Sequence, residues 1–270
     1  MKTSWQKWVA IILALLCFGV AALFSWKIYS TEKEYAEGDA AYEEIAQAVS
    51  VEESEAPDES LESSENEEII EEQPSNDSIL QVDFAELKTI NDDVAAWLYL
   101  PDTILNYPVA QGTDNRYYLR HLLDGTYNAN GCLLFDCNNS LVFTDDNILI
   151  YGHHMDSGKM FASLVNYKEQ SFYDSHPICY LSTPEKDYRI EIFSGYTTTA
   201  ESLAYMISWN NREEKIEWMK EMFHNSDFHS DVTVYPNDHI VTFSTCEYSF
   251  QNARYVVHGR LVEIAEGVNE

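Results

Sequence analysis

The chain has 270 residues, a formal net charge of −30 at pH 7 and 45% hydrophobic residues. So large an acidic excess argues against a nucleic-acid-binding protein, because contacts to phosphates require clustered Lys and Arg side chains. The length allows one large domain or two small ones.

An uncharged, apolar run occupies residues 8–26. About 20 apolar residues suffice to cross a bilayer as a helix, so the run predicts a single-pass transmembrane signal-anchor. Residues 1–7 would then be cytoplasmic, and the chain after the anchor would be extracellular. A cleaved signal peptide is the alternative, since residues 20–22 form an acceptable small-residue cleavage site. The run continues to Trp26, which is longer than the ~7–15 residues typical of a signal peptide and favours the anchor.

The next segment, residues 27–78, is strongly acidic. Between Glu32 and Asp77 it contains 18 acidic residues and one basic residue. Its first part, residues 31–49, could continue as a helix, whereas the part after Ser50 is too acidic and too rich in serine to bury a core. The segment is therefore predicted to be a largely disordered extracellular spacer.

Residues 79–270 are predicted to form one mainly β domain, long enough to bury a substantial core. Eight short β-branched and aromatic runs, bounded by turn residues, suggest a closed or nearly closed barrel. These runs are residues 105–110, 131–136, 141–143, 147–152, 178–183, 188–199, 239–245 and 253–264.

Two helices are predicted to accompany the strands. Residues 84–98 place apolar side chains at helical spacing, which predicts a short helix at the start of the domain. In residues 202–226, Ile216, Met219 and either Met222 or Phe223 recur on one side of a helix inserted between two strands.

Among the five cysteines, Cys246 stands out because it ends an apolar strand, so its thiol is expected at the rim of the barrel. Cys17 lies in the apolar N-terminal run, and Cys132 and Cys179 lie in apolar runs where a small buried side chain is the usual explanation. Cys137 lies at a turn, and a disulfide with Cys132 remains open. The odd number leaves at least one thiol unpaired.

A nucleophilic thiol needs one group that manages its proton and another that stabilises the charge developing on the substrate. His153 and His154 directly follow a strand and a glycine, so they could reach the same end of the barrel as Cys246. Arg254 begins the last strand, and the turn before it predicts a hairpin that places it beside the thiol. Arg260 has the same parity but lies roughly 20 Å further along the strand.

These residues carry a family resemblance. Tyr-Gly-His-His-Met at residues 151–155, Ser-Thr-Cys at 244–246 and the strand starting at Arg254 resemble the motifs of class B sortases, the surface transpeptidases of Gram-positive bacteria. Residues 105–121 are similar to the segment that precedes the catalytic histidine in that branch. The resemblance extends over about residues 84–265.

The resemblance implies an eight-stranded sortase barrel and a two-step acyl transfer without cofactor or metal. Cys246 would form the thioacyl intermediate, His153 would act as general acid and base, and Arg254 would hold the oxyanion or the peptide backbone. The expected partners are surface proteins with an NPxTx or LPxTG-like sorting motif and a peptidoglycan amine. The substrate groove is expected to include Asn115, Tyr151, Tyr205, Ser244, Thr245 and Glu247.

Several alternatives remain open at this point. The residue that is Asn in the family motif is His154 here, so His154 could replace His153. A papain-like protease has Cys before His in the chain, and a chymotrypsin-like one would need a Gly-rich loop around its nucleophile; neither pattern fits. A metal site on His153, His154 and Asp156 is the chemical alternative. A tethered adhesin or receptor ectodomain would also explain the anchor, the spacer and the β-rich domain.

Overall fold

A computed structural model of the chain describes residues 2–51 and 80–264. The described residues form four α-helices, ten β-strands and four short 3₁₀ segments. The helices are α1 Lys2–Ile45, α2 Phe84–Ile90, α3 Gln170–Ser175 and α4 Arg212–Asn225. The first five strands are β1 Val49–Val51, β2 Leu80–Val82, β3 Val94–Tyr99, β4 Asn106–Ala110 and β5 Leu133–Phe135. The last five are β6 Asn147–Tyr151, β7 Ile178–Ser182, β8 Asp187–Thr199, β9 His239–Cys246 and β10 Ala253–Glu263.

Eight of the strands form a closed barrel in the order β10-β8-β7-β3-β4-β5-β6-β9. The pairs β4–β5 and β6–β9 are parallel, and the other pairs are antiparallel. Side chains such as Trp97, Phe135 and Phe243 fill the core with at most 1% of their surface exposed. The predicted eight-stranded barrel is confirmed.

The membership of the barrel differs from the sequence prediction at two places. Residues 84–98 were predicted as one helix, but α2 ends at Ile90 and residues 94–99 form the barrel strand β3. Only the start of this segment has apolar residues three or four apart. Residues 94–99 form a nearly continuous apolar run, which is typical of a strand buried on both faces. Conversely, residues 141–143 form a turn rather than a strand, with Val142 68% exposed and Phe143 at a φ of 52°.

The two ends of the barrel are distinguished by its last strands. Strands β6 and β9 end, and β10 begins, at the end that we call the upper rim; β9 begins and β10 ends at the lower rim. Strand β8 spans the full height, from Asp187 at the lower rim to Thr199 at the upper rim.

The predicted inserted helix is present between β8 and β9, but it is shorter than residues 202–226. Helix α4 begins at Arg212 because the side chain of Asn211 accepts a hydrogen bond from the Glu214 backbone N–H, a standard N-cap. Its buried apolar residues, Trp218, Met219 and Met222, form a second apolar cluster against the outside of the barrel.

The N-terminal helix α1 has two parts with different surroundings. The apolar part is long and apolar enough to cross a membrane, with a mean hydropathy of 2.5 over its best window. The later part packs against the barrel, since Tyr42 and Ile45 are only 5% and 7% exposed. Strand β1, which follows, pairs with β2. Residues 34–51, which the sequence assigned to the spacer, therefore belong to the folded unit; residues 52–79 lie outside the described residues.

Candidate active site

The hairpin formed by β9 and β10 makes Cys246 and Arg254 direct cross-strand partners. The Glu247 backbone N–H donates to the Ala253 carbonyl over 3.0 Å, so the next pair, Cys246 with Arg254, is of the non-hydrogen-bonded type. In such pairs the Cα atoms lie about 4.5 Å apart and the two side chains are close together. The predicted hairpin therefore places Cys246 and Arg254 opposite each other at the upper rim.

Arg254 has no carboxylate partner in the described part of the chain. Its guanidinium donates to the Ala253 carbonyl over 2.9 Å and is half-buried. Arg260, six residues further on, is instead bound to Glu191 through Nε at 2.8 Å. Because an arginine stays protonated and carries five donors, most of the donors of Arg254 remain available to an oxygen atom near Cys246.

The parallel strand β6 brings the two candidate histidines to the same rim. Tyr151 pairs with Ser244, and the Gly152 backbone N–H donates to the Ser244 carbonyl over 3.1 Å. Strand β6 ends at Tyr151, so His153 and His154 follow it at the rim where β9 ends in Cys246.

His153 and His154 turn to different partners. Nε2 of His153 lies 2.7 Å from the Leu119 carbonyl, and Nδ1 of His154 lies 3.0 Å from the Cys246 carbonyl. A carbonyl oxygen only accepts, so each of these nitrogens carries a proton. The neutral His153 ring therefore has its lone pair on Nδ1, whereas the neutral His154 ring has its lone pair on Nε2. Both rings are half-buried, and the second nitrogen of each has no hydrogen-bond partner among the described residues.

Aromatic residues line the side of the rim next to Ser244. The Tyr205 hydroxyl lies 2.8 Å from the Ser244 hydroxyl, and its ring stacks with the Tyr151 ring at 6.3 Å. Burial raises the pKa of Tyr205, while the Ser244 hydrogen bond and the Arg254 charge act in the opposite direction and Cys246 raises it further. The Tyr205 phenol is therefore within electrostatic range of both Cys246 and Arg254.

A buried carboxylate, Asp136, holds two of the predicted groove residues. It accepts hydrogen bonds from Nδ2 of Asn115 and from the Tyr151 hydroxyl, each over 2.8 Å. Burial, followed by the bond to Asp136, raises the pKa of Tyr151 well above its usual value. Asp136 was not among the predicted site residues, although a carboxylate that ends the apolar run at residues 131–136 is a usable signal.

Two other predicted groove residues have their polar atoms occupied by the protein. The Thr245 side chain is 2% exposed and donates to the Gly152 carbonyl over 2.9 Å, so it faces the barrel interior and does not line the groove. Glu247 binds Lys168 at 3.0 Å and accepts hydrogen bonds from the backbone and the hydroxyl of Ser249. Burial alone would raise the pKa of Glu247, but the Ser249 bonds and the Lys168 charge lower it from 4.5 to about 2.

The structure also shows the state of the other cysteines and bears on the alternative of a metal site. Cys132 and Cys137 are both free thiols, so the disulfide left open by the sequence is not formed. Burial raises the pKa of Cys132 to about 12, and Cys179 is buried too, in keeping with structural roles. No group of three or more His, Cys, Asp or Glu side chains in the described ranges is arranged to hold a metal ion.

The upper rim therefore combines a half-buried thiol, two imidazoles and an unpaired guanidinium beside an aromatic surface. Such a set can attack a carbonyl carbon, stabilise the resulting oxyanion and move a proton to a leaving amine.

Comparison with known proteins agrees with this chemistry. A family model described as the Sortase domain matches residues 98–262. The sortase B of Staphylococcus aureus (strain NCTC 8325 / PS 47) is 30% identical over 256 residues, which cover 94% of this chain and 97% of that protein.

Solved structures show the same similarity. The structure described as a Staphylococcus aureus sortase B–substrate complex is 34% identical, with a TM-score of 0.65, over 67% of this chain and 85% of that one. A structure of sortase B complexed with triglycine has the same identity and TM-score over 67% of this chain and 86% of that one.

Proposed function

The chain belongs to the sortase family of cysteine transpeptidases, and we propose that it is a membrane-anchored enzyme of the sortase B type. In this proposal it cleaves a C-terminal sorting motif in surface proteins and transfers them to a cell-wall amine. The supporting observation is the direct cross-strand pairing of Cys246 with Arg254 at a rim that also carries His153 and His154. A tethered adhesin, the alternative left by the sequence, would give this set no task.

In the first half-reaction, the Cys246 thiol gives its proton to Nδ1 of His153 as the sulfur attacks the carbonyl carbon of the Thr in an NPxTx or LPxTG-like motif. The carbonyl oxygen becomes an oxyanion, and Arg254 donates hydrogen bonds to it. The Glu247 backbone N–H is engaged with the Ala253 carbonyl, which leaves this task to the guanidinium. When the C–N bond breaks, His153 gives a proton to the departing amine and the acyl group remains on sulfur as a thioester.

In the second half-reaction, an amine of a peptidoglycan precursor attacks the thioester. His153 accepts a proton from this amine, a second oxyanion forms beside Arg254, and the C–S bond breaks. The proton then passes from His153 to the departing Cys246 sulfur, so the products are a new amide and the free thiol. The relative solved with triglycine supports an amino-terminal glycine peptide as one acceptor to be tested.

The substrate groove is proposed to run past Tyr205, Tyr151 and Ser244. Tyr151 and Ser244 lie on the face of β6 and β9 that also carries Cys246, and Tyr205 contacts both of them from the segment after β8. The Asp136 network fixes the positions of Tyr151 and Asn115. Glu247 would contribute by ordering the turn after the nucleophile. Thr245 would act through its backbone and through its bond to Gly152.

The apolar part of α1, residues 8–26, is proposed to anchor the enzyme in the cell membrane with the barrel outside the cell. The long apolar helix supports an anchor, since its composition and length suit a bilayer span. Residues 1–7 would remain in the cytoplasm. The proposed partners are thus a membrane, surface proteins with sorting signals and a peptidoglycan amine.

The test uses the full chain reconstituted in liposomes with quenched fluorescent peptides that carry NPxTx or LPxTG-like motifs, with and without triglycine. Wild type should cleave one of them, form a triglycine product and show a thioester adduct by mass spectrometry. Cys246→Ala should lose cleavage and adduct together. Full cleavage by Cys246→Ala would overturn the proposal.

A further inference from the structure

Helix α1 is fastened to the barrel by a specific set of contacts. The Asn128 side chain donates to the Glu34 carbonyl over 2.8 Å, and Asn130 donates to the Tyr35 carbonyl over 3.2 Å and to Asp39 over 3.0 Å. The Tyr42 hydroxyl donates to the Gly131 carbonyl over 2.6 Å. These bonds reach one face of the helix over more than two turns, so they fix its direction as well as its position. Further support comes from Glu34 itself, whose carboxylate accepts from the Ala129 backbone N–H over 2.8 Å.

Gly38 shows how close this contact is. A Cβ atom at that position would lie 2.6 Å from Nδ2 of Asn130 and 2.7 Å from Oδ1 of Asn128. Both amides are themselves held by hydrogen bonds to the helix, so they have little freedom to move aside. Glycine is unfavourable inside a helix by up to about 1 kcal/mol relative to alanine, so its presence here is explained by close packing.

The loop that binds the helix belongs to the upper rim. Its last residue, Gly131, lies against the Leu119 carbonyl, which in turn binds the His153 ring. Tyr35 also lies near Tyr248: burial raises the pKa of the Tyr248 phenol most, and Cys246, Asp156 and then Tyr35 raise it further, while Arg254 lowers it. The Tyr248 ring packs on His154 at 5.4 Å. The docked part of α1 therefore begins beside the candidate catalytic groups.

From this point toward its N-terminus, the helix leaves the domain. Ile28 and Tyr29 are 63% and 66% exposed, and the apolar run ends at Trp26. The residues from Lys27 to Glu34 correspond to only about 10 Å of helix at 1.5 Å per residue. The membrane-spanning part and the upper rim are thus joined by about two turns of the same helix.

The acidic segment does not lie on the path between membrane and barrel. Residues 52–79 start and finish at β1 and β2, which are paired in the register Val51 to Leu80. A chain whose two ends are held side by side on the domain cannot set the distance between that domain and an anchor that precedes both ends.

We propose that α1 is a rigid stalk that holds the upper rim, with its active site, facing the bilayer surface at a distance of about 10 Å. The partner surface is the lipid headgroup layer, and Tyr248 and Phe250, which are 69% and 48% exposed, are the side chains of the rim suited to that interface. The enzyme would then act on substrates held at the membrane surface. The inference rests on the proposed membrane anchoring.

The test measures height above the bilayer and requires no catalysis. The full chain, with Cys17→Ala, Cys137→Ser and Cys246→Ala, is placed in nanodiscs and labelled with a fluorophore at Phe250→Cys or at Glu185→Cys. Energy transfer to a headgroup-labelled lipid should be strong for the upper-rim label and weak for the Glu185 label. Thirteen residues of β8 separate the rims by roughly 40 Å of strand, or about 30 Å after strand tilt.

Two insertions of Gly-Ser-Gly-Ser provide matched variants. After Tyr29, the insertion should break the stalk, broaden the distances and remove the difference between the two labels. After Ser64, in the acidic segment, the same insertion should leave both distances unchanged. Equal transfer from both labels without an insertion, or a larger change from the Ser64 insertion than from the Tyr29 insertion, would overturn the inference. Failure of the chain to enter nanodiscs would instead contradict the proposed anchoring.

Discussion

Strand β10 carries an arginine near each end, and the two have different surroundings. At the lower rim, Arg260 is bound to Glu191 and lies 3.8 Å from Asp238. At the upper rim, Arg254 faces Cys246 without a carboxylate partner among the described residues. The same residue type therefore binds fixed negative charges at the lower rim, while at the upper rim its donors are not bound to a carboxylate of the described residues, as the proposed oxyanion role requires.

The middle of the strand completes the comparison. His258 is fully buried and its Nδ1 lies 2.8 Å from the Thr242 hydroxyl. Thr242 uses its single proton to donate to Asn147, so Nδ1 of His258 carries the proton of the neutral ring. Burial lowers the pKa of His258 to about 3. One strand thus holds an unpaired cation, a neutral imidazole and a paired cation, which teaches that surroundings decide the role of a basic side chain.

The largest effect is expected at the upper rim, from the imidazole proposed to act as general acid and base. His153→Ala should reduce kcat/KM for peptide cleavage about 10²- to 10⁴-fold, the usual range for loss of a general acid and base. His154→Ala is the matched variant, and it should lose much less because its ring is directed to the Cys246 carbonyl. Parallel cleavage assays measure both; a greater loss in His154→Ala would exchange the two roles.

The next largest effect is a difference in kcat between the variants of Arg254 and Arg260. Arg254→Ala should lower kcat about 10²- to 10³-fold, as expected when an oxyanion donor is removed. Arg254→Lys keeps the charge but not the planar fork of donors, so it should recover only part of the activity. Steady-state kinetics on these variants and on Arg260→Ala test the comparison directly. It fails if both alanine variants lower kcat to the same extent.

His258, in the buried middle of β10, should make the stability of the fold depend on pH. The pKa of His258 is lower in the folded state than its usual 6.5, so below pH 6.5 the unfolded state binds a proton that the folded state does not. This group therefore destabilises the fold as pH falls from 6.5 toward 3, by up to about 1.4 kcal/mol per pH unit.

His258→Gln removes this linkage. At pH 7 the wild type should have the higher Tm, because the substitution disturbs the packing around the ring. The difference in Tm should become smaller as the pH is lowered to 5. A constant difference between pH 7 and pH 5 would mean that His258 does not remain neutral in the folded protein.

The smallest effect is expected at the lower rim. Arg260→Ala leaves Glu191 with Arg189, which binds it at 3.0 Å, so the loss of stability should be about 1 kcal/mol. Activity should stay within about twofold of wild type. Thermal unfolding together with the cleavage assay provides the measurement, and a large loss of activity without loss of stability would remove the distinction between the rims.

The sequence predicted the barrel and the rim because their signals are local. Cys246 and Arg254 are separated by a short turn between two alternating apolar runs, so the hairpin and its pairing follow from turn length and periodicity. Strand β3 was harder to predict. Residues 94–99 are apolar almost throughout, so they lack the alternation of apolar and polar residues that marks a strand.

Other features depend on contacts between distant parts of the chain. Nothing near Thr245 indicates that its hydroxyl binds Gly152, 93 residues earlier. The hydrogen bond of Tyr42 to Gly131, 89 residues later, likewise could not be predicted, because the acidic composition around Tyr42 is typical of a spacer. Composition describes what a segment can bury, but it does not identify a partner surface elsewhere in the fold.

The carbonyl of Leu119 has a consequence for the order of events. In the proposed mechanism, Nε2 of His153 is committed to this carbonyl and only Nδ1 exchanges protons with the substrates, so the departing and the arriving amine would use the same atom of the ring in turn. The peptide released by the first cleavage therefore has to dissociate from the site beside Nδ1 before the acceptor amine binds there. The enzyme should follow a double-displacement (ping-pong) scheme, with parallel double-reciprocal plots and no ternary complex.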